Sequence, residues 1–228
     1  MSVAAVVPAA GSGTRVGGRT SKPFLTLNGQ PLVAYTLQVL QHSPAVRWIV
    51  LVVRADELAQ ARILLTRYKI TKALSPCPGG ASRAESVARG VAALPRAAKW
   101  VLVHDAARPC ASRQLIQQVV RAGKRYGAVA CGLPAALTVK AVDAQREVRL
   151  TLDRDQLWLM QTPQVFRRDW FDHALAQTDH HLSQFPDDAS VVESAGFPVR
   201  VIPGESLNLK VTTKDDLVLA AAILNARR

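Results

Sequence analysis

Three short apolar runs, Val3 to Val7, Trp48 to Val53 and Trp100 to Val103, constrain the fold of this chain more than any other feature. Each is unbroken by polar alternation, so each has to be covered on both faces, as strands of a parallel sheet are. The segments between them have helical spacing. Pro31 to Gln41 places Leu32, Val33, Leu37 and Leu40 on one face behind a proline, and Ala55 to Tyr68, Ser82 to Leu94 and Ser112 to Tyr126 are amphipathic in the same way. Strand and helix in alternation predict an α/β fold, a doubly wound, mostly parallel, Rossmann-like sheet with right-handed crossovers. Ligands of such sheets sit at the carboxyl ends of the strands.

After Gly127 the pattern changes. Ala128 to Leu133 is another strand, but Leu137 to Val142 and Glu147 to Leu152 are β-like runs joined by Asp143-Ala144-Gln145-Arg146, with a third run at Leu157 to Gln161. These predict a β-ribbon arm projecting from the sheet over about residues 134–156. A projecting ribbon needs its edges covered, and a second subunit would do so. Helical spacing returns at Asp169 to Gln177 and Ala189 to Ala195, a strand is predicted at Pro198 to Pro203, and a last helix at Lys214 to Ala226. With 228 residues, all of this fits one domain spanning 1–228.

The net charge of +12 raises the question of nucleic acid, membrane surface or small anions. Its basic residues are spread along the chain, aromatics make up only 5%, and no strand interleaves them as a stacking platform would. Small polyanionic substrates are therefore expected, without nucleic acid or membrane. Cys77, Cys110 and Cys131 are too few and too far apart for a disulfide framework or a thiolate metal site, and Met1-Ser2 runs straight into the first strand without a basic leader. A cytoplasmic protein is expected.

The first strand runs into Pro8-Ala9-Ala10-Gly11-Ser12-Gly13-Thr14-Arg15, and on to Lys22. Glycines at 11 and 13 let the main chain approach an anion closely, and Arg15 and Lys22 bring two cations to the same place. Val16 stands where a dinucleotide fingerprint needs its third glycine, and no Gly-Lys-Ser/Thr follows, which removes the Walker loop. What remains is a loop suited to a nucleoside triphosphate. A second candidate is Gly79-Gly80-Ala81-Ser82-Arg83 with Ser86, glycines opening a helix whose first N–H groups are available to a ligand. The third is Val103-His104-Asp105-Ala106-Ala107-Arg108-Pro109. A carboxylate at the end of a buried strand suits Mg²⁺ beside phosphate oxygens, Arg108 supplies a fork for a phosphate, and His104 is read as a structural histidine.

Taken together, Val6-Val7-Pro8-Ala9-Ala10-Gly11-x-Gly-x-Arg15, the Gly79-Gly80 loop with Arg83 and Ser86, and His104-Asp105-Ala106-Ala107-Arg108-Pro109 resemble the 2-C-methyl-D-erythritol 4-phosphate cytidylyltransferases of the non-mevalonate isoprenoid pathway. Thr138 and Lys140, Asp153-Arg154, Thr162-Pro163-Gln164, Asp187-Asp188-Ala189-Ser190 and Asn208-Leu209-Lys210-Val211-Thr212 extend the resemblance along the whole chain. It implies transfer of CMP from CTP to the sugar-alcohol phosphate, with release of pyrophosphate. It further implies that Arg15, Lys22 and Lys210 are catalytic, facing the phosphates. Ala9, Ala10, Gly11, Ser12, Gly13, Gly79, Gly80, Arg83 and Ser86 would hold the nucleotide. Asp105, Ala106, Arg108 and Thr162 would face the acceptor, and Asp105, helped by Asn208, would position Mg²⁺. In a homodimer with exchanged ribbons, Thr138, Lys140 and Arg154 would serve the partner's acceptor site. Ala107 favours the methylerythritol substrate over a pentitol phosphate, whose enzymes tend to read Asp-Ala-Val-Arg. The chain departs from the family pattern at Ser21, Pro23, Leu137 and Pro186.

Overall fold

Alternate residues of the first strand serve two different cores. In a computed structural model describing residues 2–11 and 21–227, Val3, Ala5 and Val7 face one apolar cluster, while Ala4 and Val6 face another on the opposite side of the sheet. The strand β1 (Val3–Pro8) is buried throughout except at its last residue, as its unbroken apolar run requires. Two 2-residue strands, β2 (Thr26–Leu27) and β3 (Gln30–Pro31), make a small hairpin before helix α1 (Leu32–Gln41). Then come β4 (Trp48–Val53), α2 (Leu58–Arg67), the short β5 (Cys77–Pro78), α3 (Arg83–Ala92), β6 (Trp100–Val103) and α4 (Arg113–Tyr126). After β7 (Ala128–Pro134) the hairpin β8 (Val139–Val142) and β9 (Val148–Leu152) stands as a separate two-stranded ribbon. The chain returns through β10 (Trp158–Arg167), α5 (Arg168–Thr178), α6 (Asp188–Ser194), β11 (Arg200–Pro203) and α7 (Lys214–Ala226).

The main sheet has seven strands in the order β11-β7-β10-β6-β1-β4-β5. Strand β1 is central and pairs in parallel with β4 on one side and β6 on the other, so the strand order reverses there. Helices α1, α2 and α4 cover one face through Leu37, Leu40, Leu64 and Ile116, and α3, α5 and α6 cover the other through Val87, Val91, Phe171 and Val192. Each such side chain contributes about 1.5–3 kcal/mol by leaving water. Helix starts are marked by side-chain caps: Ser82, Ser112, Asp187 and Thr213 each accept a backbone N–H three residues on. Gly90 of α3 lies so close to the sheet that a Cβ would stand 2.5 Å from Val6 Cγ1. Among the described residues no helix is long and apolar enough to cross a membrane.

One expectation needs correction. The run at Leu157 to Gln161 is not a third piece of the ribbon. It is the first half of β10, which lies within the main sheet and pairs antiparallel with both β6 and β7. Pro163, which lacks a backbone donor, hides this strand in the sequence, and the β7 register shifts between Gln161 and Gln164 around it. Just before Gly79, β5 pairs with Val52 and Val53 at the sheet edge, where a proline costs no ladder bond.

Candidate active site

The carboxyl ends of β1 and β6 deliver two loops to one place. Ala9 N–H donates to Val52 O at 2.7 Å, which carries β1 beyond its last residue, and the turn after β6 is fixed by Thr36 of α1. The fully buried Thr36 hydroxyl reaches Ala106 O at 3.1 Å and Arg108 O at 3.3 Å. Val211 N–H donates to Ala107 O at 2.8 Å, which lays residues 210–212 alongside that turn. A cavity of about 460 Å³ opens between these segments and the start of α3. Ala9, Ala10, Gly11, Lys22, Gly80, Arg83, Ser86, Asp105, Ala106 and Lys210 all line it.

Asp105 is its electrostatic centre. Its carboxylate is 6% exposed, with Arg83 Nε at 3.0 Å from Oδ1 and Lys210 Nζ at 2.8 Å from Oδ2. Arg83 is itself shared, since its Nη2 also meets Asp188 Oδ2 at 2.9 Å. Burial alone would raise the Asp105 pKa, but Arg83, then Lys210 and Arg108, outweigh it and hold this carboxyl well below the usual range. Burial lowers the pKa of Arg83, yet Asp188 and Asp105 more than restore it, so the guanidinium stays charged. Asp188, 1% exposed, is pushed up by burial, with Arg83 opposing.

The floor beneath Asp105 is a hydrogen-bonded layer. Asp105 N–H donates to Thr162 Oγ1 at 3.0 Å, and the same hydroxyl pairs with His104 Nδ1 at 3.0 Å. The irregularity at Thr162-Pro163 in β10 is what turns this hydroxyl toward β6. His104 is fully buried, and burial lowers its pKa to about 4, so it is a neutral structural ring, as expected. Asn208 Nδ2 donates to Thr162 O at 2.8 Å and to Gln161 Oε1 at 3.2 Å, and Asn208 O accepts from Arg108 Nη1 at 2.7 Å.

Several anticipated residues stand elsewhere. Arg108 and Thr162, expected against an acceptor, are 8% and 4% exposed and engaged within the floor, with Arg108 Nε 3.9 Å from Asp105 Oδ2. The N–H groups at the start of α3 are already taken, Gly80 by Ser86 Oγ at 3.1 Å and Ala81 by Glu85 Oε2 at 3.0 Å. Gly79 lies behind the wall, where an added Cβ would stand 2.7 Å from Ser86 Oγ and crowd Ala10. On the ribbon, Thr138 is exposed, Lys140 Nζ contacts Thr151 Oγ1 at 2.5 Å and Arg154 Nη1 donates to Ala136 O at 3.0 Å. None of these three lines the cavity of its own chain. Ser12, Gly13 and Arg15 lie outside the described residues.

Asp188 and Thr36 were not singled out as site residues. The pair Asp187-Asp188 before a helix reads as capping, and Asp187 does cap α6 by accepting Ser190 N–H at 2.9 Å, which masks the task of its neighbour. Thr36 offers no signal, because a threonine on a buried helix face is common. As for a metal, no group of three His, Cys, Asp or Glu side chains among the described residues is placed to hold one. A single carboxylate, Asp105, faces the cavity among the described lining residues. That donor set fits Mg²⁺ carried mainly by phosphate oxygens and water, as that ion usually is.

Residues 3–226 match the family model described as 2-C-methyl-D-erythritol 4-phosphate cytidylyltransferase. The protein of that name from Pelotomaculum thermopropionicum is 41% identical over 227 residues, covering 99% of this chain and 95% of the relative. Its namesake from Syntrophus aciditrophicus is 38% identical over 223 residues, covering 97% and 95%. Among solved structures, the Thermus thermophilus cytidylyltransferase superposes with a TM-score of 0.80 at 31% identity, covering 99% of this chain and 100% of that one. The 4-diphosphocytidyl-2C-methyl-D-erythritol synthase of Anaerococcus prevotii gives 0.83 at 28%, covering 98% of both.

Proposed function

Since the chain belongs to the 2-C-methyl-D-erythritol 4-phosphate cytidylyltransferase family, and so transfers CMP from CTP to that sugar phosphate in isoprenoid biosynthesis, we propose a division of labour among its residues. The triphosphate lies in the cavity between the glycine-rich stretch and Lys210. The attacking group is an ionised phosphate oxygen, so the reaction needs no general base, and rate comes from positioning and from charge stabilisation at the α-phosphate. Arg15, Lys22 and Lys210 supply that charge, Ala9 to Gly13 with Gly80, Arg83 and Ser86 frame the nucleotide, backed by Gly79, and Asp105 and Ala106 face the acceptor.

The observation that carries this reading is Lys210 Nζ held 2.8 Å from Asp105 in a cavity that Lys22 also lines. A cation already stationed in the cavity needs little movement to meet a bound phosphate and the charge that develops on it. Asp105 would hold a Mg²⁺ ion beside the phosphates, and such an ion would further screen their charge. Arg108 and Thr162 act from the floor by fixing Asp105.

The active form is a homodimer with crossed ribbons. Because β10 runs antiparallel to β6 and β7, the ribbon between β7 and β10 emerges at the same end of the sheet as the cavity. Leu137 is 81% exposed on it, and Val142, Val148 and Leu150 are more than half exposed, which supports cover by a partner. Thr138, Lys140 and Arg154 then reach the partner's acceptor. Three unpaired thiols, Cys77, Cys110 and Cys131, support a cytoplasmic site of action.

The deciding experiment follows pyrophosphate with Mg²⁺, each nucleoside triphosphate in turn, and either methylerythritol phosphate or ribitol phosphate. Release is expected with CTP and methylerythritol phosphate, and its absence refutes the reading. Lys210→Ala should lower kcat by roughly 10²–10³, the usual loss for one preorganised charge contact, with little change in stability because the lysine is 41% exposed. An unchanged kcat with weaker CTP binding would move Lys210 to a binding role.

A further inference from the structure

A second cavity, of about 700 Å³, lies at the opposite end of the sheet, among the start of β6, the end of α4 and the junction of β10 with α5. Trp100 and Val103 mark the two ends of β6, so the strand alone separates the two cavities by roughly 10 Å at about 3.3 Å per residue. The walls are built rather than incidental. Gly127 adopts a φ of 89°, and a Cβ there would stand 2.5 Å from the Trp170 ring, so only glycine lets that ring lie over the turn. Trp170 stacks on Phe197 with centroids 4.7 Å apart and carries the Arg167 guanidinium 5.0 Å from its ring, so two neighbours hold it in place. Arg167 N–H bonds Gly127 O at 2.8 Å and Arg168 N–H bonds Lys99 O at 3.0 Å, which ties the three segments together.

The lining is strongly cationic. Arg96, Lys99, Lys124, Arg125, Arg167 and Arg168 face two carboxylates, Asp169 and Asp172. Both carboxylates are engaged, Asp169 by Arg167 at 2.5 Å and Asp172 by Arg168 at 2.8 Å. Arg96, Lys99, Lys124 and Arg125 make no ion pair among the described residues. The last turn of α4 favours Lys124 and Arg125, because cations suit a helix C-terminus. That argument fails for Arg167 and Arg168, which stand at the start of α5, where a helix favours anions. Arg168 Nη1 is buried and has no hydrogen-bond partner, a donor left unsatisfied among like charges.

We propose that this cavity binds a small polyphosphate anion, at a site separate from the catalytic one. Tripolyphosphate is the probe, and the four tryptophans report where it lands. Trp100 and Trp170 line this cavity, whereas no tryptophan lines the catalytic one. In ¹⁵N-labelled protein, sub-millimolar tripolyphosphate should shift the Trp100 and Trp170 indole resonances saturably and leave those of Trp48 and Trp158 in place. The double variant Lys99→Glu, Lys124→Glu should weaken that binding by about tenfold or more while turnover with CTP stays within about twofold, both residues lying outside the catalytic machinery. Should that variant fold poorly, Lys99→Gln with Lys124→Gln should give a smaller loss of the same sign. ATP in place of tripolyphosphate separates the sources: equal shifts mean the phosphates alone are read, and larger ones mean the nucleoside adds contacts. No saturable shift at Trp100 and Trp170, or one indifferent to both pairs of substitutions, overturns the proposal.

Discussion

Replacing Thr162 by valine keeps the branched shape and deletes one oxygen. That oxygen receives Asp105 N–H at 3.0 Å and pairs with His104 Nδ1 at 3.0 Å, in a layer where Thr162 is 4% and His104 0% exposed. Two buried polar groups would lose their partner with no water to replace it, at about 1–3 kcal/mol each, so the loss should fall at about 2–6 kcal/mol. For a chain of this size that lowers Tm by roughly 4–24 °C. Thr162→Ser retains the oxygen and loses only a methyl group, which costs about 1 kcal/mol. Urea unfolding followed by circular dichroism measures both. The Asp105 turn shifts as well, so kcat should fall by about 10- to 100-fold in the valine variant and recover in the serine one. A valine variant with unchanged stability and only a raised KM for the acceptor would refute the reasoning. It would mean that the hydroxyl faces the substrate rather than holding the turn.

Three further outcomes follow from particular contacts. Gly90→Ala should destabilise by about 1–3 kcal/mol, although alanine normally gains about 1 kcal/mol inside a helix, because the new methyl group meets Val6 and Val52 of the sheet; thermal melting decides the sign. Burial pushes the Asp216 carboxyl up, but bonds from Thr212 N–H, Thr212 Oγ1 and Thr213 N–H bring it down to about 2, from an unperturbed 3.8. Its contribution is therefore present above pH 3.8 and lost as pH falls through 2, so Asp216→Ala should cost about 1 kcal/mol at pH 7, after solvent screening, and clearly less at pH 2 in denaturation curves. Burial raises the Cys110 and Cys131 thiols to about 11 and 12, so at pH 8 a disulfide reagent should label neither in the native protein, and labelling of either would contradict their burial.

The strand-helix alternation was legible because parallel strands covered on both faces show as unbroken apolar runs, and β1, β4 and β6 follow those runs closely. Strand β10 was not legible beyond its first half. Proline breaks the pattern at the position where the register with β7 slips, and Gln161, Thr162 and Gln164 put polar groups into a buried strand. Those polar residues hold the site floor, and local pattern rules fail there because the strand serves hydrogen bonds rather than a core. Likewise, the residues that line the cavity lie in glycine-rich or strand-end stretches that stand out in the sequence. Residues that support them, such as Thr36 beneath Ala106 and Asp188 behind Arg83, are set by tertiary contacts 70 and 105 residues apart. No local pattern encodes such distances.

With Lys210 in the phosphate-facing role proposed above, its ion pair with Asp105 makes nucleotide binding an exchange rather than an addition. A phosphate that reaches Lys210 takes it from a carboxylate 2.8 Å away, and Asp105 falls back on Arg83. The net gain is the difference between two ion pairs, so it grows with the charge of the arriving group. A triphosphate outbids the internal carboxylate more easily than a monophosphate does. On that proposal the internal carboxylate grades incoming groups by charge, favouring the more highly charged.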